Sequence, residues 1–188
     1  MDEVTHRNFG LTIAYILPGF VSLWGVSYFS RDVATWIATA PQASPSIGAF
    51  LYGILGSLAL GLIISAIRWA TIDTANEHTG LKRPKLNYSK LQENLQAFDN
   101  AVEYHYRYYQ FYSNMVVALL AAFVARCLTT SDGMSAYAIL GFLFVEAVLF
   151  AGARDALGKY YERLTDMLGG EGPRSSSAKT AVKFGDEA

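Results

Sequence analysis

Four stretches of this chain are apolar and almost free of charge, and polar segments of unequal length separate them. Asn8 to Ser30, Val33 to Ile67 and Tyr108 to Ala125 hold no Asp, Glu, Lys or Arg, and Gly133 to Ala153 holds only Glu146. An uncharged apolar run of about 18 residues or more is long enough to cross a bilayer as a helix. The pattern therefore predicts an all-α protein, a four-helix transmembrane bundle with spans near 11–29, 47–68, 110–128 and 135–153, in a single domain over residues 1–168. The first run is too long for the core of a signal peptide and its head is acidic (Asp2, Glu3), so it reads as a retained helix.

The apolar period does not stop at the membrane boundary. The second span runs on toward Glu77 and ends at His78-Thr79-Gly80. Ser89, with Gln92 three residues later, has the form of a capping box. From there Leu91, Leu95, Phe98, Val102, His105, Tyr109, Tyr112, Val116, Leu119 and Phe123 alternate at spacings of four and three. That is the seam of helix-on-helix packing, and it predicts one long helix, half outside the membrane. The fourth span likewise continues through Leu157, Tyr161, Leu164 and Leu168. The extensions, 69–109 and 154–168, are expected to form a small cytoplasmic helical bundle. Residues 169–188 turn Gly-, Ser- and Pro-rich, which predicts a disordered tail.

Charge adds orientation. Of the 15 Lys and Arg, 13 lie in the head, the 68–107 segment or beyond 153; only Arg31 and Arg126 lie elsewhere. Four spans place those three regions on one side, which basic residues assign to the cytoplasm, with both termini inside. Trp69, Tyr104, Tyr106, Tyr108, Tyr109 and Tyr112 crowd the inner boundary as an aromatic belt, and Tyr28 and Trp36 mark the outer one. With 15 basic against 16 acidic residues there is no basic surface for phosphate backbones, so nucleic acid is not an expected partner. Cys127 is the single cysteine; no intrachain disulfide is available to it, and it reads as a small core residue.

Four groups of residues are candidates for function. Glu146 lies roughly 16 Å along the fourth span, near the bilayer middle. A carboxylate there costs about 2.5 to 3.5 kcal/mol, against about 3 to 5 kcal/mol returned by nine strongly apolar neighbours. Such a residue faces protein or water, as a conduction group or a buried hydrogen-bonding one, and Arg126 is its candidate partner. Ala49, Gly53, Ser57, Gly61 and Ser65, each four apart, form a small-residue stripe suited to close helix packing, within the chain or between copies. Pro18-Gly19 kinks the first span and leaves the Ala14 carbonyl without its helical donor, open to a cation or a hinge. At the inner base, Asp73, Glu77, His78, Asp99 and Glu103 are the only metal candidates; none of them stands in a Glu-x-x-His pair, and Arg107 stands four after Glu103 as an ion-pair partner. His105, Tyr109 and Tyr112 occupy the cytoplasmic seam, where His105 is a candidate pH-sensitive position.

None of the usual nucleophile, zinc or phosphate-loop motifs is present, so no enzyme activity and no cofactor is expected. The expected activity is association: membrane lipid around the spans, a homo-oligomer, and a cytoplasmic protein partner at the base. By analogy of architecture this is a channel-like membrane effector or accessory subunit of a bacterial system, in the inner membrane. Two other classes fit the same residues: a proton- or cation-coupled carrier built on Glu146, and a scaffold that presents its tyrosine-rich inner surface.

Overall fold

The computed structural model describes residues 12–37, 47–130 and 133–171. Among them are five helices. A wide π-type turn, Thr12–Ile16, leads into α1 (Leu17–Ser27), and a short helix α2 (Arg31–Ile37) follows. The three long helices are α3 (Ile47–His78), α4 (Leu95–Thr129) and α5 (Ala136–Leu168). All three are long and apolar enough to cross a membrane, whereas the first apolar run forms a shorter helix, Ile13–Ser27. At 1.5 Å per residue the long helices reach roughly 48 to 52 Å, so each extends well past a hydrocarbon layer of about 30 Å.

Local chemistry explains where these helices begin and end. Ser135 caps α5 by accepting from the Ala138 N–H at 3.2 Å. Gly169 closes it at a φ of +61°, a conformation that favours glycine. Gly80 ends α3 in the same way, at a φ of +98°. The capping box at Ser89 does not form. Asn87 instead accepts from the Ser89 N–H at 3.1 Å, a single tight turn covers Tyr88–Lys90, and α4 starts only at Leu95. An Asx turn offered by the side chain just upstream wins over the helical start. α2, between the first two expected spans, is an element the hydrophobic pattern did not indicate. Gly170–Glu171 pairs antiparallel with Lys85–Leu86, so order extends past residue 169; the rest of the expected tail lies outside the described residues.

α1 sits between α3 and α4, buried along Pro18, Gly19, Ser22, Leu23 and Gly25. Contact is backbone to backbone. A Cβ on Gly19 would stand 1.7 Å from the Ser57 carbonyl oxygen, and one on Gly61 would stand 2.1 Å from that of Tyr15. On the other flank, a Cβ on Gly25 would stand 2.9 Å from the Ala122 Cα. Small residues let helices approach this closely where lipid removes any hydrophobic preference for protein. The buried face of α4 reflects this: Ser113, Asn114, Ala118, Ala122 and Ala125 point inward. Of the ten seam residues read from the sequence, only Tyr109 is fully buried. The seam still serves α5, through a Phe123–Phe142 stack at 4.0 Å and Tyr112 against Gly152.

Below the membrane-length portions the chain builds a second, wetter core. Tyr109, Ala153, Ala156 and Leu157 form its centre, with Leu81, Tyr106, Tyr112, Tyr160 and Tyr161 packed around it. The helical extensions therefore do meet, as the continued apolar period requires.

Candidate functional site

Two places collect the polar groups of the bundle. The first lies along the membrane half of α5. That half buries almost nothing: Tyr137, Leu140, Leu143, Phe144 and Val148 are all exposed, and every fully buried residue of α5 lies at Ala153 or beyond. Glu146 sits in the middle of this half, partly covered, with its Oε1 atom shielded and without a hydrogen-bond partner. Arg126 does not reach it. Its guanidinium donates instead to the Tyr28 hydroxyl at 3.2 Å, near the C-terminal ends of α4 and α1. A long basic side chain at a helix end gains more from the interface than from a carboxylate at depth. Cys127 beside it is exposed rather than core.

Pro18 has a clear partner. The Ala14 carbonyl accepts from the Asn114 side-chain amide at 2.8 Å, in a wholly buried position. The carbonyl that proline releases is thus taken by α4, so the kink is a docking point and not an open cation ligand. Asn114 Oδ1 and Ser113 Oγ remain buried without partners. Of the small-residue stripe, Gly53, Ser57 and Gly61 are buried, and Ser57 and Gly61 pack on α1; Ala49 and Ser65 are half-buried at its ends. The stripe is used inside the chain.

The second place is the base. Arg68, almost fully buried, donates to Asp73 at 2.8 Å, and its guanidinium lies 5.3 Å over the Tyr109 ring. Tyr109 in turn donates to Asp73, and the Asn76 amide donates to the Tyr109 hydroxyl at 3.4 Å. Arg154 of α5 closes the network, donating to Asn76 Oδ1 at 3.3 Å and to Thr79. One polar chain therefore ties α3, α4 and α5 together at the base. Of the metal candidates, Asp73 is held by Arg68 and Tyr109, and Glu103 is paired with Arg107 at 3.0 Å. Among the described residues no three His, Cys, Asp or Glu side chains converge, so Glu77, His78 and Asp99 complete no metal-binding group with them. His105 is half-buried in the wide turn Val102–Tyr106.

Beside this network lies a cavity of about 410 Å³, walled by Asp73, Tyr106, Tyr109, Leu157, Tyr160 and Tyr161 and reached by Trp69, Glu77 and Arg83. Two wide π-type turns, Trp69–Asp73 and Val102–Tyr106, bring Asp73 and Tyr106 to it. Tyr106 and Tyr160 lie 5.0 Å apart, ring to ring. Burial pushes the Tyr160 hydroxyl up to about 12, helped by the neighbouring Tyr106 hydroxyl, and burial raises Tyr161 as well. Asn76, Asn114, Arg68 and Arg154 had drawn no attention as site residues. Asn is uncharged, so runs defined by missing charge pass over it, and a basic residue at a span end reads as topology.

No protein-family model, no curated protein and no solved structure matches this chain. What the fold defines is a class: an all-α protein with three membrane-length apolar helices and a polar, aromatic base.

Proposed function

We propose that this is a multi-pass membrane protein that acts by association, with the membrane half of α5 as its contact face and Glu146 as the anchor. One observation carries the reading: a carboxylate oxygen shielded from solvent without a hydrogen-bond partner, midway along a half-helix in which no residue is fully buried. A polar group at that depth in lipid is satisfied by protein or water. A second copy of the chain brings the same glutamate to the same depth, where a protonated carboxyl and its twin can donate and accept.

The rest of the reading follows the charge distribution. The first apolar helix acts as a fourth span, both termini and the base face the cytoplasm, and the location is a bacterial inner membrane. The chain performs no chemistry of its own; it works as a channel-like effector or accessory subunit, and the cytoplasmic base receives a protein partner.

Mass photometry in lipid nanodiscs and in mild detergent tests the association. The wild type is expected as a dimer or larger assembly, Glu146→Gln retains it, and Glu146→Ala raises the dissociation constant by about 3- to 18-fold, the range of one interhelical hydrogen bond. A wild type that stays monomeric at every protein-to-lipid ratio overturns the proposal. An assembly indifferent to Glu146→Ala removes Glu146 as the anchor. Loss of cation uptake into proteoliposomes in Glu146→Gln, with the assembly intact, would favour the carrier instead.

A further inference from the structure

We propose that the cavity at the base binds a zwitterion that carries an ammonium group and a phosphate, of the size of a phospholipid headgroup. The site is separate from Glu146 and goes beyond the association reading.

Arg68 and Tyr109 both bind Asp73, so that carboxylate is occupied. Glu77 and Arg83 also line the cavity, yet neither forms an ion pair or hydrogen bond with any described residue, including each other. Tyr106, Tyr160 and Tyr161 line the same space, and their hydroxyls make no hydrogen bond among the described residues. One free negative charge, one free positive charge and several aromatic faces therefore share about 410 Å³, within the usual range for a small-molecule site.

Each simpler ligand leaves part of that set unanswered. An inorganic anion or nucleotide would pair with Arg83 but face both Glu77 and Asp73. A simple organic cation would suit Glu77 and the tyrosine rings but leave Arg83 opposing it. An apolar ligand would strip water from two charges and several hydroxyls without replacing it. A zwitterion answers all of them: its ammonium donates to the Glu77 carboxylate and lies against the tyrosine rings, and its phosphate accepts from the Arg83 guanidinium. The position fits a headgroup, because the cavity lies where α3, α4 and α5 leave the membrane-length segments and Trp69, 70 % exposed, stands at its rim. The same chemistry is carried by a lipid headgroup or by a free solute.

The test uses the full chain in nanodiscs of phosphatidylglycerol alone, which lacks an ammonium. Glycerophosphoethanolamine is titrated in, and binding is followed by calorimetry and by Trp69 fluorescence in a Trp24→Phe, Trp36→Phe background. Saturable binding is expected, weakened about tenfold or more in Glu77→Gln and again in Arg83→Gln, each removing a charge-assisted contact. Both positions are exposed, and an unchanged thermal midpoint shows that each variant folds. Ethanolamine and glycerophosphate, each with half of the charge pair, should bind at least tenfold more weakly than the zwitterion. In nanodiscs containing phosphatidylethanolamine, suppressed binding of the soluble probe assigns the site to the lipid; undiminished binding assigns it to a free solute. No saturable binding, binding indifferent to both variants, or equal binding of either half-ligand overturns the proposal.

Discussion

At the scale of single residues, the most consequential pair is Pro18 and Asn114. Proline removes one backbone donor from the first apolar helix, and an amide from a different helix replaces it at 2.8 Å. Asn114→Ala is expected to leave the Ala14 carbonyl buried and unpaired, lowering stability by about 1 to 3 kcal/mol. Unfolding in detergent measures this, and the double variant with Pro18→Ala should lose less than the sum, because a restored N–H competes for that carbonyl. An additive double variant would show that the contact carries no energy. Tyr160 offers a second residue-scale check. Its pKa is raised, to about 12, so its contribution is fully present below the ordinary phenol value near 10 and declines as pH rises from there through 12. Absorbance at the tyrosinate band should show a late phenol that Tyr160→Phe removes; no change in the titration would contradict its burial.

At the scale of elements, α1 is the keystone, because α3 and α4 both close on it through glycine and alanine. Gly61→Ala forces a methyl into the Tyr15 carbonyl, and neither backbone can yield without separating the helices. A loss of about 1 to 3 kcal/mol or more is expected. Gly53→Ala is the contrasting control, since a Cβ there meets nothing within 4 Å. It should leave the thermal midpoint unchanged or slightly raised. Equal damage from both would mean that the stripe acts elsewhere, as it would between copies. α5 is the opposite case. Its outer half touches the bundle mainly through Phe123–Phe142 and Tyr112–Gly152, which leaves its remaining faces for lipid or for another chain.

At the scale of the molecule, the apolar helix segments meet the polar base near Trp69, Arg68 and Arg154. The proposed orientation places Cys127, exposed at the far end of α4, outside. A membrane-impermeant maleimide should label it in intact cells. A cysteine introduced at exposed Lys82, in a Cys127→Ser background, should react only after lysis. The reverse pattern would invert the topology. The association test on Glu146 belongs to this scale too, because a single chain offers no partner for its shielded oxygen.

Much of this was legible along the chain, for identifiable reasons. Long charge-free runs exclude an aqueous surface, so the three long helices and their extension into the base followed from periodicity and from Gly80 and Gly169 as stops. The ion pair of Glu103 with Arg107 followed from spacing on one helix face. Other features were invisible. The start of α4 moved from Ser89 to Leu95 because Asn87 competed for the backbone, a local contest that a capping pattern does not resolve. Arg126 chose Tyr28 over Glu146 because depth, not sequence distance, decides which groups meet. The seam of large residues yielded to Ala118, Ala122 and Ala125, because between helices in lipid closeness outweighs apolar area. Class, the three long apolar helices and charge asymmetry are thus properties of one-dimensional pattern, since solvent exclusion acts on every stretch alike. The partner of each polar group, the occupancy of the small-residue stripe and the cavity at the base exist only once separate helices are brought together. Hydrogen bonds and close packing depend on distances between segments, and no order of residues along a single chain states them.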